Sequence, residues 1–365
     1  MNLTRYVLKL FISISIFVCG ASPLTFADSL PLKIGLIQSL TGIAAEDGQT
    51  VLKAVRLAVE DINLTRTPKI ELLIEDDCSD STVSVNAFYK LQASKVNAII
   101  GATWDYTTNA IIPLSERYKI PLLSTSTLPE SLEIKENSKY IYTFGMSVTS
   151  EALAFKQYLS NRRIKTLAYI YTNNNWGVTQ LSAYQQHSRS AKIKEVLNFA
   201  PNLNDQNEWN TLVSKIQRHK PEALVLILNQ HDLSVLIKKL REQKNAAQIF
   251  ASKNLFDAFQ NAGNKKLFEK VCFNYPLKRL RANKILTQHF RDKYNSMPRI
   301  YTDSSYQAVI QLNAAAEQAL KLKTSLANRL NVLENKMIHK NSDNWQGSEN
   351  SSSLVCIENQ QPAIK

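Results

Sequence analysis

The chain has 365 residues, enough for two domains of ordinary size, and carries 44 Lys and Arg against 31 Asp and Glu, a formal charge of +13. The basic residues are scattered and no nucleic-acid motif accompanies them, so the charge reads as a solvated basic exterior and nucleic-acid binding is set aside. Four cysteines exclude a dense disulfide framework, and nine glycines leave little for phosphate-cradling loops.

In chain order, residues 1–27 read as an export signal. Arg5 and Lys9 precede an apolar run from Leu10 to Val18, and Thr25 and Ala27 stand at the −3 and −1 positions of a cleavage site. Cleavage after Ala27 predicts a periplasmic protein and lowers the formal charge to +11. Cys19 raises a lipoprotein alternative, although Val18 stands where a lipobox wants a small residue. No later apolar run approaches the ~20 residues of a membrane span.

From Lys33 onward, short β-branched runs alternate with amphipathic stretches. The strand "KIGLIQS" leads to a helix over 49–63. "KIELLIEDD" leads to a helix over 80–95, "NAIIGA" to one over 105–118, and then comes "IPLLSTS". A second series repeats the rhythm: "TLAYIYT", helix 177–190, "IKEVLNFA", helix 207–219, "ALVLILN", helix 231–243, and "QIFASK". This is the pattern of βαβ units, and it predicts an α/β protein of two doubly wound, Rossmann-like lobes joined by a hinge. The runs "KYIYTFGM" and "VCFNYPLK" read as extended crossings between lobes. The expected division is lobe 1 over 28–143 plus 276–335, lobe 2 over 144–275, and a polar tail over 336–365 whose return to lobe 2 is left open.

Function in such sheets gathers outside the carboxyl ends of the strands. Gly101 ends one strand and "STST" (124–127) ends the next; Asp105 and Thr107 are candidate N-caps of the helix between. Helix N-termini with neighbouring hydroxyls suit a carboxylate, while capping alone is the plainer role for Ser126 and Thr127. The five histidines, His187, His219, His231, His289 and His339, show no metal-ligand spacing, and no nucleophile elbow or phosphate loop is present. No enzyme, metal or cofactor is implied. His231-Asp232 at a strand end is the most site-like pair, with helix capping by Asp232 as its simpler role. Glu75, Asp76 and Asp77 read as water-facing caps of the next helix.

"KIGLIQSLTGIAAEDGQTVLKAVRLAVEDIN" resembles the opening of the leucine/isoleucine/valine-binding protein family, the type I periplasmic solute-binding receptors. "LLIEDDCSD", "AIIGA", "IPLLSTSTLPESL", "YIYTFGM", "LAYIYTNNNWG" and "YTDSSYQAV" follow in the family's order over about residues 32–325. The resemblance implies a two-lobed clamp of type I periplasmic binding protein fold, expected as a monomer. It would close on a small amino-acid-like or organic-acid ligand and dock on an ABC permease in the inner membrane. The same fold without transport, as a ligand sensor or a cell-envelope interaction protein, is the alternative.

Carried over by position, the family's carboxylate-touching serine falls on Asp105, flanked by Trp104 and Tyr106. Its hydroxyl pair falls on Ser126 and Thr127, its covering aromatic on Trp176, and a further contact on Asn229 or Gln230. The ammonium-binding acid falls on Lys253, a reversal of charge. Either the ligand differs from a branched-chain amino acid, as an aromatic organic acid would, or Asp105 and Lys253 pair across the cleft; a shifted register would instead leave Lys253 in solvent. The family's first-lobe disulfide would join Cys78 to the position of Trp104, so Cys78 is expected to be a packed or free thiol. A Cys272–Cys356 bond is left to geometry.

Overall fold

The computed structural model describes residues 31–126, 139–160, 162–202, 205–339 and 353–365. The export signal, Thr127 and the polar stretch 340–352 lie outside the described residues.

The first series builds a parallel sheet. β1 (Lys33–Gln38), β2 (Glu71–Asp76), β3 (Ala98–Gly101), β4 (Leu122–Ser124) and β5 (Ile141–Thr143) lie in the order β2-β1-β3-β4-β5. Ile34 of β1 registers with Leu72 on one side and Ala98 on the other. Between the strands run α1 (Ala45–Asn63), α2 (Ser81–Ala93) and α3 (Asp105–Tyr118). These bounds sit close to the sequence reading because they have local causes. Asp80 caps α2 by accepting from the Thr82 and Val83 N–H groups, and α1 buries Val51, Val55, Ala58 and Val59 at helical spacing.

The second series repeats the plan with β6 (Thr166–Tyr171), β7 (Lys194–Phe199), β8 (Ala223–Ile227), β9 (Gln248–Ala251) and β10 (Cys272–Tyr275). Before β6 comes α4 (Val148–Ser160), and between the strands run α5 (Asn175–Ser190), α6 (Gln206–His219), α7 (Gln230–Glu242) and the short α8 (Leu255–Gln260). The strand order is β7-β6-β8-β9-β10, again with the first strand of the series inside. All five residues of β8 are buried, as a strand covered by helices on both faces requires.

"VCFNYPLK" is corrected by this sheet: it supplies β10, with all four strand residues buried, before the chain leaves. The chain then forms α9 (Leu277–Ala282), α10 (Lys284–Tyr294), α11 (Thr302–Leu322) and α12 (Leu326–His339). Leu286 and Phe290 of α10 and Val309 and Leu312 of α11 join the same core as Ile34, Val55 and Leu123, so this segment packs on the first sheet. Fully burying each such side chain contributes about 1.5–3 kcal/mol.

The tail comes back to the second sheet. β11 (Ser353–Glu358) pairs antiparallel with β10, and β12 (Gln361–Ile364) with β11. Cys272 faces Cys356 across that pairing and the two are disulfide-bonded, while Cys78 is a free, exposed thiol. Glu75, Asp76 and Asp77 do not simply face water. Glu75 pairs with Lys90, Asp76 accepts from the Leu40 N–H, and Asp77 is fully buried, taking the Ser39 hydroxyl at 2.6 Å. Asp76 and Asp77 pin the loop after β1, whose polar groups need partners where it leaves the sheet.

The disulfide closes a separation of 84 residues. Replacing both Cys272 and Cys356 with Ser is expected to lower unfolding stability by about 2–4 kcal/mol through the freed unfolded chain. Chemical denaturation with hydrogen exchange on 353–364 checks this, and unchanged stability and protection would show that the hairpin holds without the bond.

Candidate ligand-binding site

In each sheet the first strand of its series lies between the second and third, so consecutive crossovers run in opposite directions and the strand ends open a crevice there. The two crevices face each other. A cavity of about 570 Å³ lies between them, lined after β1 by Ile43, Glu46 and Asp47 and after β3 by Trp104, Asp105 and Tyr106. Ser126 follows β4; Thr172 and Trp176 follow β6; Asn229, Gln230 and His231 follow β8; Lys253 and Asp257 follow β9; Tyr301 stands at the start of α11. Seven of the eight residues predicted from sequence, Trp104, Asp105, Tyr106, Ser126, Trp176, Asn229 and Lys253, therefore share one cavity.

Two glycines let helices reach this crevice. A Cβ on Gly48 would stand 2.1 Å from the Ser39 carbonyl oxygen, and one on Gly177 would stand 1.9 Å from that of Thr172. Only a residue without a side chain lets the first turns of α1 and α5 rest on the strand-end backbone. Asn174 then caps α5, accepting from the Gly177 N–H at 2.8 Å, which places Trp176 at the rim.

On the α3 side the N-cap is Trp104, not Asp105 or Thr107. Thr107 is the third helical residue and its hydroxyl takes the Trp104 N–H at 3.3 Å. Asp105 is the first helical residue and accepts from Asn175 Nδ2 at 3.0 Å, joining the two rims of the cleft. The Trp104 indole donates to Asp47 Oδ2 at 2.8 Å and meets the Tyr106 ring edge-on at 6.1 Å. Ser126 is buried, its hydroxyl 3.0 Å from that of Ser124 and 3.2 Å from that of Thr108.

Lys253 neither points to solvent nor pairs with Asp105. It is 2% exposed, and its ammonium lies 2.6 Å from Oε1 of Glu151, a residue of α4 with no exposed surface. Gln180 donates to the other Glu151 oxygen at 2.8 Å. A lysine this deep requires a full counter-charge, because an isolated buried ammonium is too costly to keep. Glu151 has no local sequence signal; the packing of α4 against α5, β10 and β11 brings it to Lys253.

The residues that sequence reasoning missed form a second charged group. Arg299, in the segment before α11, binds Glu46 of α1 through Nη1 and Asp257 of α8 through Nη2 at 3.1 Å. The same Nη2 donates to Gln230 Oε1 at 3.0 Å, and Gln230 donates to Glu46, closing a ring of side chains from both sheets. Asp257 is 3% exposed, and its Oδ1 has no hydrogen-bond partner. Burial pushes its carboxyl up from 3.8 to about 6, against the pull of Arg299. Asp47 is also raised, by burial first, with the Trp104 hydrogen bond opposing. Asp47 and Glu46 could have been found by extending the strand-end rule to the loop after β1; Asp257 lies four residues beyond Lys253 at the end of β9.

Of the pair His231-Asp232, His231 lines the cavity while Asp232 is engaged at the helix start. Asn229 caps α7 by accepting from the Asp232 N–H at 3.0 Å, and its amide also donates to the Asp232 carboxylate. No cluster of three or more metal-ligating side chains occurs among the described residues, and none of their helices is long and apolar enough to cross a membrane.

A family model described as periplasmic binding protein matches residues 31–335. Among curated proteins, the Leu/Ile/Val-binding protein BraC3 of Rhizobium johnstonii is 26% identical over 230 residues; the match covers 58% of this chain and spans only 60% of that relative's length. Among solved structures, the branched-chain amino acid transporter substrate-binding protein LivJ of Streptococcus pneumoniae, in complex with isoleucine, superposes with a TM-score of 0.75 at 17% identity. That likeness covers 92% of this chain and 99% of LivJ. A solute-binding protein of an ABC transporter from Rhodopseudomonas palustris BisB5, in complex with 3,4-dihydroxybenzoic acid, gives a TM-score of 0.73 at 17% identity over 90% of this chain and 89% of its own.

The Asp257 shift has a measurable sign. The native state holds a proton that the unfolded chain releases between pH 3.8 and about 6, so this residue lowers stability as pH rises through that window. Asp257→Asn is expected to remove that slope. Wild type should lose on the order of 2–3 kcal/mol relative to the variant between about pH 4 and pH 7. Unfolding curves taken across that range check it, and parallel pH profiles would show that Asp257 titrates normally.

Proposed function

The chain belongs to the periplasmic binding protein family, and from that premise we propose that it is a periplasmic receptor that captures a small organic solute between its two lobes and hands it to an ABC permease in the inner membrane. The observation that carries this reading is the cavity itself: its walls come from the strand ends of both sheets, so a molecule held there touches both lobes at once. A volume of about 570 Å³ suits a small organic molecule. Rim contacts such as Asn175 to Asp105 can form only when the lobes approach, which couples occupancy to closure.

The two ligand classes read from sequence are not equally supported. An organic acid seated at the start of α3 would meet Asp105 and approach Asp47, whose carboxylates repel it. Of an amino-acid-like solute, the nitrogen is the part that these groups attract, while its carboxylate meets the same repulsion. Trp104, Tyr106 and Trp176 supply flat apolar surface for its carbon skeleton. Ser126, with Thr127 following it, remains the proposed hydroxyl contact.

Native mass spectrometry of protein purified without denaturation, followed by a thermal-shift screen of amino acids, amines and aromatic acids, tests the receptor reading. A retained or stabilising small molecule whose effect is lost in Trp176→Ala, by about tenfold or more in affinity, is the expected result. A chain that retains nothing and responds to no small molecule would instead support a sensing or envelope-interaction role on the same clamp.

A further inference from the structure

The walls of the cavity are acidic although the protein as a whole is basic. Glu46, Asp47, Asp105 and Asp257 line it, and Glu151 stands behind Lys253. Against these five carboxylates, two fixed cations make contact: Arg299, shared by Glu46 and Asp257, and Lys253, held by Glu151. Among the described residues this leaves three negative charges uncompensated, 5 − 2. Asp47 receives only the Trp104 indole N–H and Asp105 only the Asn175 amide, both neutral donors.

Asp257 points to a ligand independently of that count. It is 97% buried in the cavity wall, yet Oδ1 has no partner, an arrangement that costs free energy until a donor arrives. The end of α3, where a ligand carboxylate could use the helix N-terminus, already carries the carboxylate of Asp105 in its first turn. Tyr301 reports the same field: burial, then Asp47, Glu151, Asp105 and Asp257, push its hydroxyl well above its usual range. An ammonium is already tolerated beside it, Lys253 Nζ lying 5.7 Å from its ring.

Resting on the receptor reading above, we propose that the solute is an organic ammonium cation with no free carboxylate, its charged nitrogen taken by Asp257 and Asp47. Its carbon skeleton lies against Trp104 and Trp176, whose faces attract a cation as well as apolar surface. The excess of wall charge then serves both recognition and exclusion, because an α-amino acid would place its carboxylate among like charges.

The full-length protein is screened by calorimetry against agmatine, putrescine, tyramine and choline, and in parallel against leucine, glutamate, succinate and 3,4-dihydroxybenzoate. At least one amine should bind, with affinity falling as salt rises, and Asp257→Asn and Asp47→Asn should each weaken it by about tenfold or more. Asp105→Ser, made at a rim residue, should leave the fold intact and admit a carboxylate solute that wild type rejects. Circular dichroism confirms folding of each variant. If wild type binds a carboxylate solute and no amine, the cation inference is overturned while the receptor reading stands. If it binds neither class and retains no small molecule on purification, both fall together.

Discussion

One guanidinium holds the cleft in register. Arg299 reaches Glu46 on the first helix of one sheet and Asp257 on a short helix of the other, and Gln230 closes the ring between them. Arginine suits the position because its planar fork offers donors in fixed directions to two acceptors at once, where a lysine would be a single point charge. The pairing is partly buried, so its Coulombic gain is set against desolvation and its net contribution to stability is small. Its effect is geometric: the cavity walls are set by where these four side chains meet. Asp257 gives one oxygen to that ring and leaves the other unmade; on the proposed reading, closure and ligand recognition would then share one carboxylate.

Beneath this ring lies a second fixed charge pair with a different task. Lys253 and Glu151 are both withdrawn from solvent, and Gln180 satisfies the far oxygen of Glu151. The family resemblance places an ammonium-binding acid at position 253; here the chain supplies an ammonium of its own, neutralised from behind by α4. The reversal read from sequence is therefore real as a change of residue but is internally compensated. Removing either partner would strand a buried charge, at a cost of about 3–5 kcal/mol. Because the two charges of the pair cancel, it adds no net charge to the cavity wall, where Glu46, Asp47, Asp105, Asp257 and Arg299 are the other charged side chains in contact.

The alternation of strands and helices was legible in the chain because its signals are local. The helix expected over 105–118 is Asp105–Tyr118, and α5, α6 and α7 begin within two residues of expectation where Asn174, Asp205 and Asn229 cap them. The strand-end rule located the cavity after β3 and β4, and the family resemblance carried it to the residues after β6, β8 and β9. What sequence did not yield was partnership. Glu151 stands 102 residues before Lys253, and Arg299 lies far along the chain from both Glu46 and Asp257. Such pairs carry no periodicity and no cap signal. Similarly, "VCFNYPLK" has the look of a crossing because Pro276 and Lys278 close it, yet the strand is completed by β11, whose Cys356 lies 84 residues beyond Cys272.

The contacts that bridge the rims differ from those that build each lobe. Asn175 to Asp105 and Gln230 to Glu46 are made at exposed positions, where water competes for the same groups and the net gain is about 1 kcal/mol or less per bond. The lobe cores, by contrast, are continuous apolar layers on both faces of each sheet. On the proposed receptor reading, opening the clamp breaks these rim contacts together with the Arg299 bridge between Glu46 and Asp257, while each sheet stays whole. A solute that satisfied Asp257 and touched both walls would stabilise the closed form by its differential affinity for it. The weaker the empty-state rim contacts, the more completely that affinity alone decides which form is populated.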